Sequence, residues 1–248
     1  MKILLSGIKG FMGSEVVKLC EKGVRDADLL AGVDINANGN EETLCFKTFN
    51  EVNVVSDVLI DFSHFSLTEA LLDFAVMNNL PLVLATTGQT DEQRELIKEA
   101  AKKIPIFFAA NYSLGVALLI ELAKKTAATF PEADIEIVET HHNRKIDAPS
   151  GTALAIFDAV KSVRSNAVKK LGRAGLEKRT SDEIGLHAIR HGNIVGIHEV
   201  IVGTENQTIT LRHEAHSRAL FAEGALAAAQ FLINKEPGLY TMNDLIKE

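Results

Sequence analysis

The chain has 248 residues, 46% of them apolar and 24% charged, with a formal net charge of −7 from 26 basic and 33 acidic side chains. That length suits one large domain or two modest ones, and the acidic balance disfavours non-specific nucleic-acid binding, which depends on neutralising phosphates. No apolar run reaches the roughly 20 residues of a membrane-spanning helix, no signal peptide is evident at the N-terminus, and Cys20 and Cys45 lack CxxC spacing; a cytoplasmic protein without a disulfide framework is expected.

In chain order, apolar runs at 2–6, 28–33, 57–62, 81–85 and 104–109 predict strands. Between them, 12–21, 66–78 and 90–103 carry apolar residues at helical spacing. Near-continuous apolar strands separated by helices are what a parallel sheet covered on both faces requires. The pattern changes after Asn111. Residues 114–130 predict a helix closed by Pro131, 133–142 a strand and 151–163 another helix. The polar, basic segment 165–184 reads as a surface loop. From 185 to 213 the chain is β-branched and alternating, with antiparallel strands expected at 194–202 and 208–213 around the polar turn 203–207. Ser217 can cap an Ala-rich helix reaching about Ile233. The expected fold class is α/β: a Rossmann-type doubly wound parallel sheet plus a second α+β domain with a mixed or antiparallel sheet.

Gly7-Ile8-Lys9-Gly10-Phe11-Met12-Gly13 falls where the first strand turns into the first helix. Glycines there permit a tight turn and let the backbone approach a pyrophosphate, whose charge the helix N-terminus favours. The spacing is G-x-x-G-x-x-G, which a ligand-free strand-turn-helix also accommodates. Asp34 follows the second strand at the interval where a carboxylate accepts hydrogen bonds from adenosine ribose hydroxyls. A carboxylate there repels a 2′-phosphate, so NADH is preferred over NADPH, with Lys9 offsetting part of that repulsion. Two further loops, Ala85-Thr86-Thr87-Gly88 and Ala109-Ala110-Asn111-Tyr112-Ser113, leave strands at the C-terminal edge where open α/β sheets bind ligands. Asp61-Phe62-Ser63 does the same, and ordinary turn chemistry is the alternative for each.

Glu139 to Ala153 is the most informative segment. It packs His141, His142, Arg144 and Lys145 into five positions, then opens a helix with Pro149-Ser150-Gly151-Thr152. Free N–H groups at a helix start, with the Ser150 or Thr152 hydroxyl, form an anion site suited to a carboxylate. The histidines supply protons near neutral pH. If the strand continues, His141 and His142 face opposite sides and take different tasks. A surface His-His pair and a plain Ser-Gly-Thr cap are the simpler readings. Metal binding is not expected, because adjacent histidines rarely share one metal and no cysteine stands at ligand spacing.

The stretch Glu139–Ala153 resembles the signature of the dihydrodipicolinate reductases, E-x-H-H-x-x-K-x-D-x-P-S-G-T-A, at every fixed position. The resemblance extends to the Gly7–Gly13 loop, Ala85–Gly88, Ala110–Ser113, the run from Arg190 to His198, and Ser217-Arg218. It implies reduction of 4-hydroxy-tetrahydrodipicolinate to tetrahydrodipicolinate with loss of water, on the route to diaminopimelate and lysine, with NADH or NADPH. It makes His141 the proton donor and Lys145 a second donor or carboxylate anchor, with His142 and the Gly151 and Thr152 amides on the substrate carboxylate, to which the reading of the helix start adds Ser150. Gly7, Ile8, Lys9, Gly10, Phe11, Met12, Asp34, Ala85, Thr86, Thr87, Ala109, Ala110, Asn111 and Tyr112 line the cofactor. Ile35 stands where some relatives place an arginine, and the regions 36–46 and 165–184 are short beside longer members. The implied layout is a dinucleotide-binding domain at 1–111, completed by the C-terminal helix 218–248, and a substrate-binding and oligomerisation domain at 112–217. A homotetramer is implied too, with a small dicarboxylate as the substrate and no nucleic-acid or membrane partner. Two rivals stay open: another Rossmann reductase of a small carboxylated substrate, and a non-catalytic NADH-sensing protein.

Overall fold

Strand β1 (Lys2–Ser6), buried from Ile3 onward, ends at Gly7, and the chain turns there into α1 (Phe11–Glu21). It continues through β2 (Asp28–Val33), β3 (Cys45–Phe46), β4 (Val58–Asp61), α2 (Thr68–Met77), β5 (Leu82–Leu84), α3 (Asp91–Ala101) and β6 (Pro105–Phe108). Next come α4 (Leu114–Thr129), β7 (Asp134–His141), α5 (Gly151–Lys161) and β8 (Val168–Leu171). The rest is β9 (Glu183–Arg190), β10 (Gly196–Gly203), β11 (Thr208–Ala215), α6 (Ala219–Leu232), β12 (Gly238–Tyr240) and α7 (Met242–Leu245). This computed structural model describes residues 1–247, which form two units: Met1–Leu114 with the chain from Ala219 onward, and Gly115–Arg218.

In the first unit seven strands pair in the order β12-β6-β5-β4-β1-β2-β3, every pair parallel. Leu4, Leu59, Leu82 and Ile106 meet Leu71, Leu72, Ile97 and Ala100 of α2 and α3 in one cluster. Helix α6 packs on α1 and on β4, β5 and β6, and its small residues permit close approach. A Cβ at Gly224 would stand 1.6 Å from the Tyr112 carbonyl oxygen. This is the doubly wound half expected from the apolar periodicity. Strands β3 and β12 were not expected; two or three residues are too short to display a period.

The second unit holds a five-stranded sheet in the order β11-β10-β7-β9-β8. β10 runs antiparallel to β7 and β11, whereas β9 runs parallel to β7 and β8, so the sheet is mixed. Helices α4 and α5 cover one face, where Leu119, Ala123, Phe157 and Val160 meet Ile135, Ile137, Ile184 and Val200. The segment 165–184 is not simply a loop, because it contains β8. That strand is an edge strand with Lys169 and Lys170 in it, and charged edges lack the alternation that marks a half-buried strand. It is held by pairing to β9 and by ion pairs Lys170–Glu177 at 2.6 Å and, just beyond it, Arg173–Glu183 at 2.7 Å. Among the described residues no helix is long and apolar enough to cross a membrane.

Candidate active site

The glycine loop is shaped by close backbone packing. Gly7 adopts φ +77°, and a Cβ on it would meet the Phe62 carbonyl oxygen at 2.6 Å. A Cβ on Gly13 would stand 2.2 Å from the Gly7 oxygen and 2.7 Å from that of Ile8. Gly10 caps α1 without a side chain, and the first turn contains no acidic residue. A positively polarised helix start, approached by backbone alone, fits the pyrophosphate of a dinucleotide. Ile8 is buried, with its side chain beneath Gly32, so only its main chain can face a ligand. Phe11 is exposed and Met12 half-buried.

Asp34 accepts from the backbone N–H of Lys9 at 3.0 Å and of Asn36 at 2.9 Å, which ties the end of β2 to the glycine loop. The Lys9 ammonium is itself engaged, donating to the Asn36 carbonyl and to Glu41 Oε1, each at 2.8 Å. That hydrogen bond with Lys9, chiefly, brings the Glu41 carboxyl down to about 2. A cavity of about 910 Å³ is lined by Gly7, Gly10, Asp34, Asn36 and Lys47, among others. A second, of about 330 Å³, is formed by Phe62, Ser63, His64, Ala85, Thr86 and Thr87. Ala110 is exposed and Ala109 half-buried, while Asn111 Oδ1 accepts from Ser113 N–H at 2.8 Å. Tyr112 is buried, and its hydroxyl reaches the carbonyls of Leu84 and Phe107 at 2.9 and 3.0 Å. Its side chain therefore ties β5 to β6 and is not available to a ligand.

In the second unit β7 delivers the chemistry. Glu139 and His141 lie two residues apart on one face of the strand. The register sets His141 beside Arg190 of β9, and Glu139 beside His198 of β10. His141 Nδ1 lies 2.6 Å from Glu139 Oε2. Arg190 clamps the same carboxylate with two hydrogen bonds, 2.8 Å to Oε2 and 2.6 Å to Oε1, and also donates to the Asp147 carbonyl at 2.7 Å. Oε1 further accepts the Ser150 N–H at 3.0 Å. Ser150 caps α5 by accepting from Ala153 N–H, and its hydroxyl lies 3.0 Å from His198 Nε2. Gly151 is exposed with open space over its Cα, and Thr152 is half-buried. Strand β7 ends at His141; His142 follows with its N–H donating to the Ile194 carbonyl at 2.8 Å, and its buried Nδ1 has no hydrogen-bond partner among the described residues. Lys145 pairs with Asp147 at 2.9 Å. His141, His142, Lys145, Ser150, Gly151 and Thr152 are thus gathered around the end of β7 and the start of α5. Glu139, Arg190 and His198 complete the group. The first was legible from its i, i+2 spacing to His141; the other two depend on strand register, which is not local.

Electrostatics separates these groups. Burial works against ionised Glu139, but Arg190, His141 and the Ser150 N–H outweigh it and hold the carboxyl below its usual range. Burial, then the neighbouring cations Arg144 and Arg218, pulls His142 down. His198 falls from 6.5 to about 4, through burial first and His141 second. Between those two values the unfolded chain binds a proton that folded His198 refuses, so this residue makes stability rise with pH across that window. Replacing His198 with asparagine should flatten the slope of unfolding free energy against pH there. Urea melts across the window check this, and an unchanged slope would contradict it.

A family model for the N-terminus of dihydrodipicolinate reductase matches residues 1–112, and one for the C-terminus matches 115–246. The 4-hydroxy-tetrahydrodipicolinate reductase of Caldanaerobacter subterraneus subsp. tengcongensis is 44% identical over 250 residues, covering 100% of this chain and 99% of that one. The enzyme of the same name from Clostridium novyi is 42% identical, covering 99% and 98%. A solved structure, dipicolinate-bound dihydrodipicolinate reductase from Paenisporosarcina sp. TG-14, superposes with TM-score 0.83 at 26% identity, covering 98% of each chain. The C. glutamicum DAP dehydrogenase, at TM-score 0.58 and 14% identity, covers 100% of this chain and 98% of that one and shares the fold alone. Matched along essentially its whole length, the chain belongs to the dihydrodipicolinate reductase family.

Proposed function

We propose that this chain reduces 4-hydroxy-tetrahydrodipicolinate to tetrahydrodipicolinate with loss of water, in diaminopimelate and lysine biosynthesis. The observation that carries the reading is the joining, through Glu139, of a histidine to the capped start of α5. One carboxylate thus holds a proton donor beside a site for a substrate carboxylate. Curated relatives of that name at 42–44% identity support it.

The cofactor is a nicotinamide dinucleotide, which when bound supplies the hydride. Gly7, Lys9, Gly10, Phe11 and Met12, with the Ile8 backbone, cradle its pyrophosphate, and Asp34 receives ribose hydroxyls on its remaining lone pairs. Ala85, Thr86, Thr87, Ala109, Ala110, Asn111 and the Tyr112 backbone line the strand ends beyond. His141 donates the proton from Nε2. Lys145 serves as a second donor or as a carboxylate anchor once it leaves Asp147. His142, Ser150, Gly151 and Thr152 bind a substrate carboxylate through ring nitrogen, hydroxyls and helix-start amides. The first unit is the dinucleotide-binding domain, and the second binds substrate and assembles a homotetramer in the cytoplasm. Its sheet face away from α4 and α5 carries Val138, Ile189 and Ile201, with Ile189 exposed.

NADH is the preferred form. Asp34 repels a 2′-phosphate, and Glu41 occupies the one ammonium in the glycine loop. Glu41→Gln should release Lys9 and raise the affinity for 2′,5′-ADP severalfold relative to 5′-AMP. Calorimetric titration of both nucleotides tests this, and an unchanged ratio would contradict it. For the reaction itself, substrate generated in situ by the preceding condensing enzyme should drive rapid oxidation of NADH, and slower oxidation of NADPH. Cofactor binding without turnover would leave a nucleotide-sensing protein, and turnover only with other carbonyl compounds a different reductase.

A further inference from the structure

We propose that Glu139 is a positioning residue for the proton donor, fixing neutral His141 with its hydrogen on Nδ1 and coupling that ring to the start of α5. This rests on the proton-donor reading of His141.

The hydrogen-bond roles leave one solution. Glu139 is buried, at 1% exposure, and four groups converge on its two oxygens. Three of them, Arg190 Nη1, Arg190 Nη2 and the Ser150 N–H, can only donate. An ionised carboxylate can only accept, so the fourth group, His141 Nδ1 at 2.6 Å, must carry a hydrogen. Nε2 is then the nitrogen left for the substrate. A Cβ on Gly196 would stand 3.0 Å from Nε2, so the absence of a side chain at 196 keeps that nitrogen approachable. His141 delivers its proton as the imidazolium, from Nε2, which leaves the neutral ring with its hydrogen on Nδ1; solvent then returns a proton to Nε2. Glu139 does not take it up, because Arg190 keeps the carboxyl ionised. The neighbouring ring of His198, 5.2 Å away between centroids, does not compete for Glu139; its Nε2 is turned to Ser150.

Glutamine at 139 reverses this arrangement. One oxygen becomes an NH₂ group, and each oxygen serves two partners, Arg190 Nη2 and the Ser150 N–H on Oε1, Arg190 Nη1 and His141 on Oε2. Only His141 can switch from donor to acceptor, so the NH₂ takes the Oε2 side, where Arg190 Nη1 gives up its contact and keeps its bond to the Ile189 carbonyl. The ring is then forced into the Nε2–H tautomer, and the ionised partner of its Nδ1 is gone. Arg190 also reaches the Asp147 carbonyl, so the same clamp braces the loop that carries Lys145.

The test uses the full chain labelled with ¹⁵N-histidine, with His141→Gln identifying the His141 resonances. In the wild type, at a pH where the ring is neutral, hydrogen is expected on Nδ1. Glu139→Gln should move it to Nε2 and lower kcat by roughly 10²-fold or more, with cofactor affinity unchanged. Glu139→Asp, which keeps the charge, should retain Nδ1–H and recover part of the rate. An Nε2–H tautomer in the wild type overturns the inference without relying on any variant's folding. An inactive His141→Gln beside a fully active Glu139→Gln overturns this inference alone, whereas a fully active His141→Gln overturns the proton-donor reading as well.

Discussion

Replacing His141 with glutamine is expected to lower kcat by roughly 10²- to 10⁴-fold, the range that a positioned general acid contributes, while cofactor binding persists. The ring is 9% exposed and held through Nδ1 by Glu139, which leaves Nε2 as the nitrogen for the proposed proton transfer. Glutamine retains a polar group of similar reach but cannot deliver a proton near neutral pH. The glycine cradle belongs to the other unit, so the affinity for reduced nicotinamide should change little. Steady-state kinetics, combined with a fluorescence titration of the cofactor on the same preparation, separate the two effects. A parallel loss of cofactor affinity would mean that the variant had damaged the fold instead of the chemistry.

Gly13→Ala should be damaging in a different way. Its new methyl group would meet two carbonyl oxygens of the loop, at 2.2 and 2.7 Å. Both belong to backbone, so relief requires the loop to open, not a side chain to turn. Overpacking of this kind costs roughly 1–3 kcal/mol or more. The movement needed would also carry the Gly7 and Ile8 main chain away from the position that receives a pyrophosphate. A lower melting temperature and a large loss of cofactor affinity are therefore expected together. Gly203→Ala serves as the control, since a Cβ there has no neighbour within 4 Å among the described residues. If Gly13→Ala melts and binds like the control, the loop is looser than its packing indicates.

The parallel sheet of the first unit was legible because β1, β2 and β4 to β6 are buried on both faces and read as plain apolar runs. The edge elements were not. Strand β8 is lysine-bearing and β3 has only two residues, so pairing with a neighbour defines them where their own composition does not. Around the site, the segment 139–153 stood out because unusual residue types are adjacent in sequence. Arg190 and His198 needed the registers of β9 and β10 against β7 before they could be joined to it. Glu41 was invisible for a related reason, since its partner Lys9 lies 32 residues away, with α1 and β2 between them. Tyr112 shows the opposite case. Its place after β6 suggests a ligand contact, yet its hydroxyl is spent on two buried carbonyls. Loop position in sequence says which edge of a sheet a residue occupies, but not whether its side chain turns inward.

A dicarboxylate held at the start of α5 beside His141 is what these roles depend on, and titrating the ¹⁵N-labelled full chain with dipicolinate tests it most directly. Saturable shifts should concentrate on the amides of Gly151 and Thr152 and on the rings of His141 and His142, and they should weaken in Lys145→Ala. Shifts confined to other residues, or none at millimolar dipicolinate, would contradict the assignment of this segment as the substrate site.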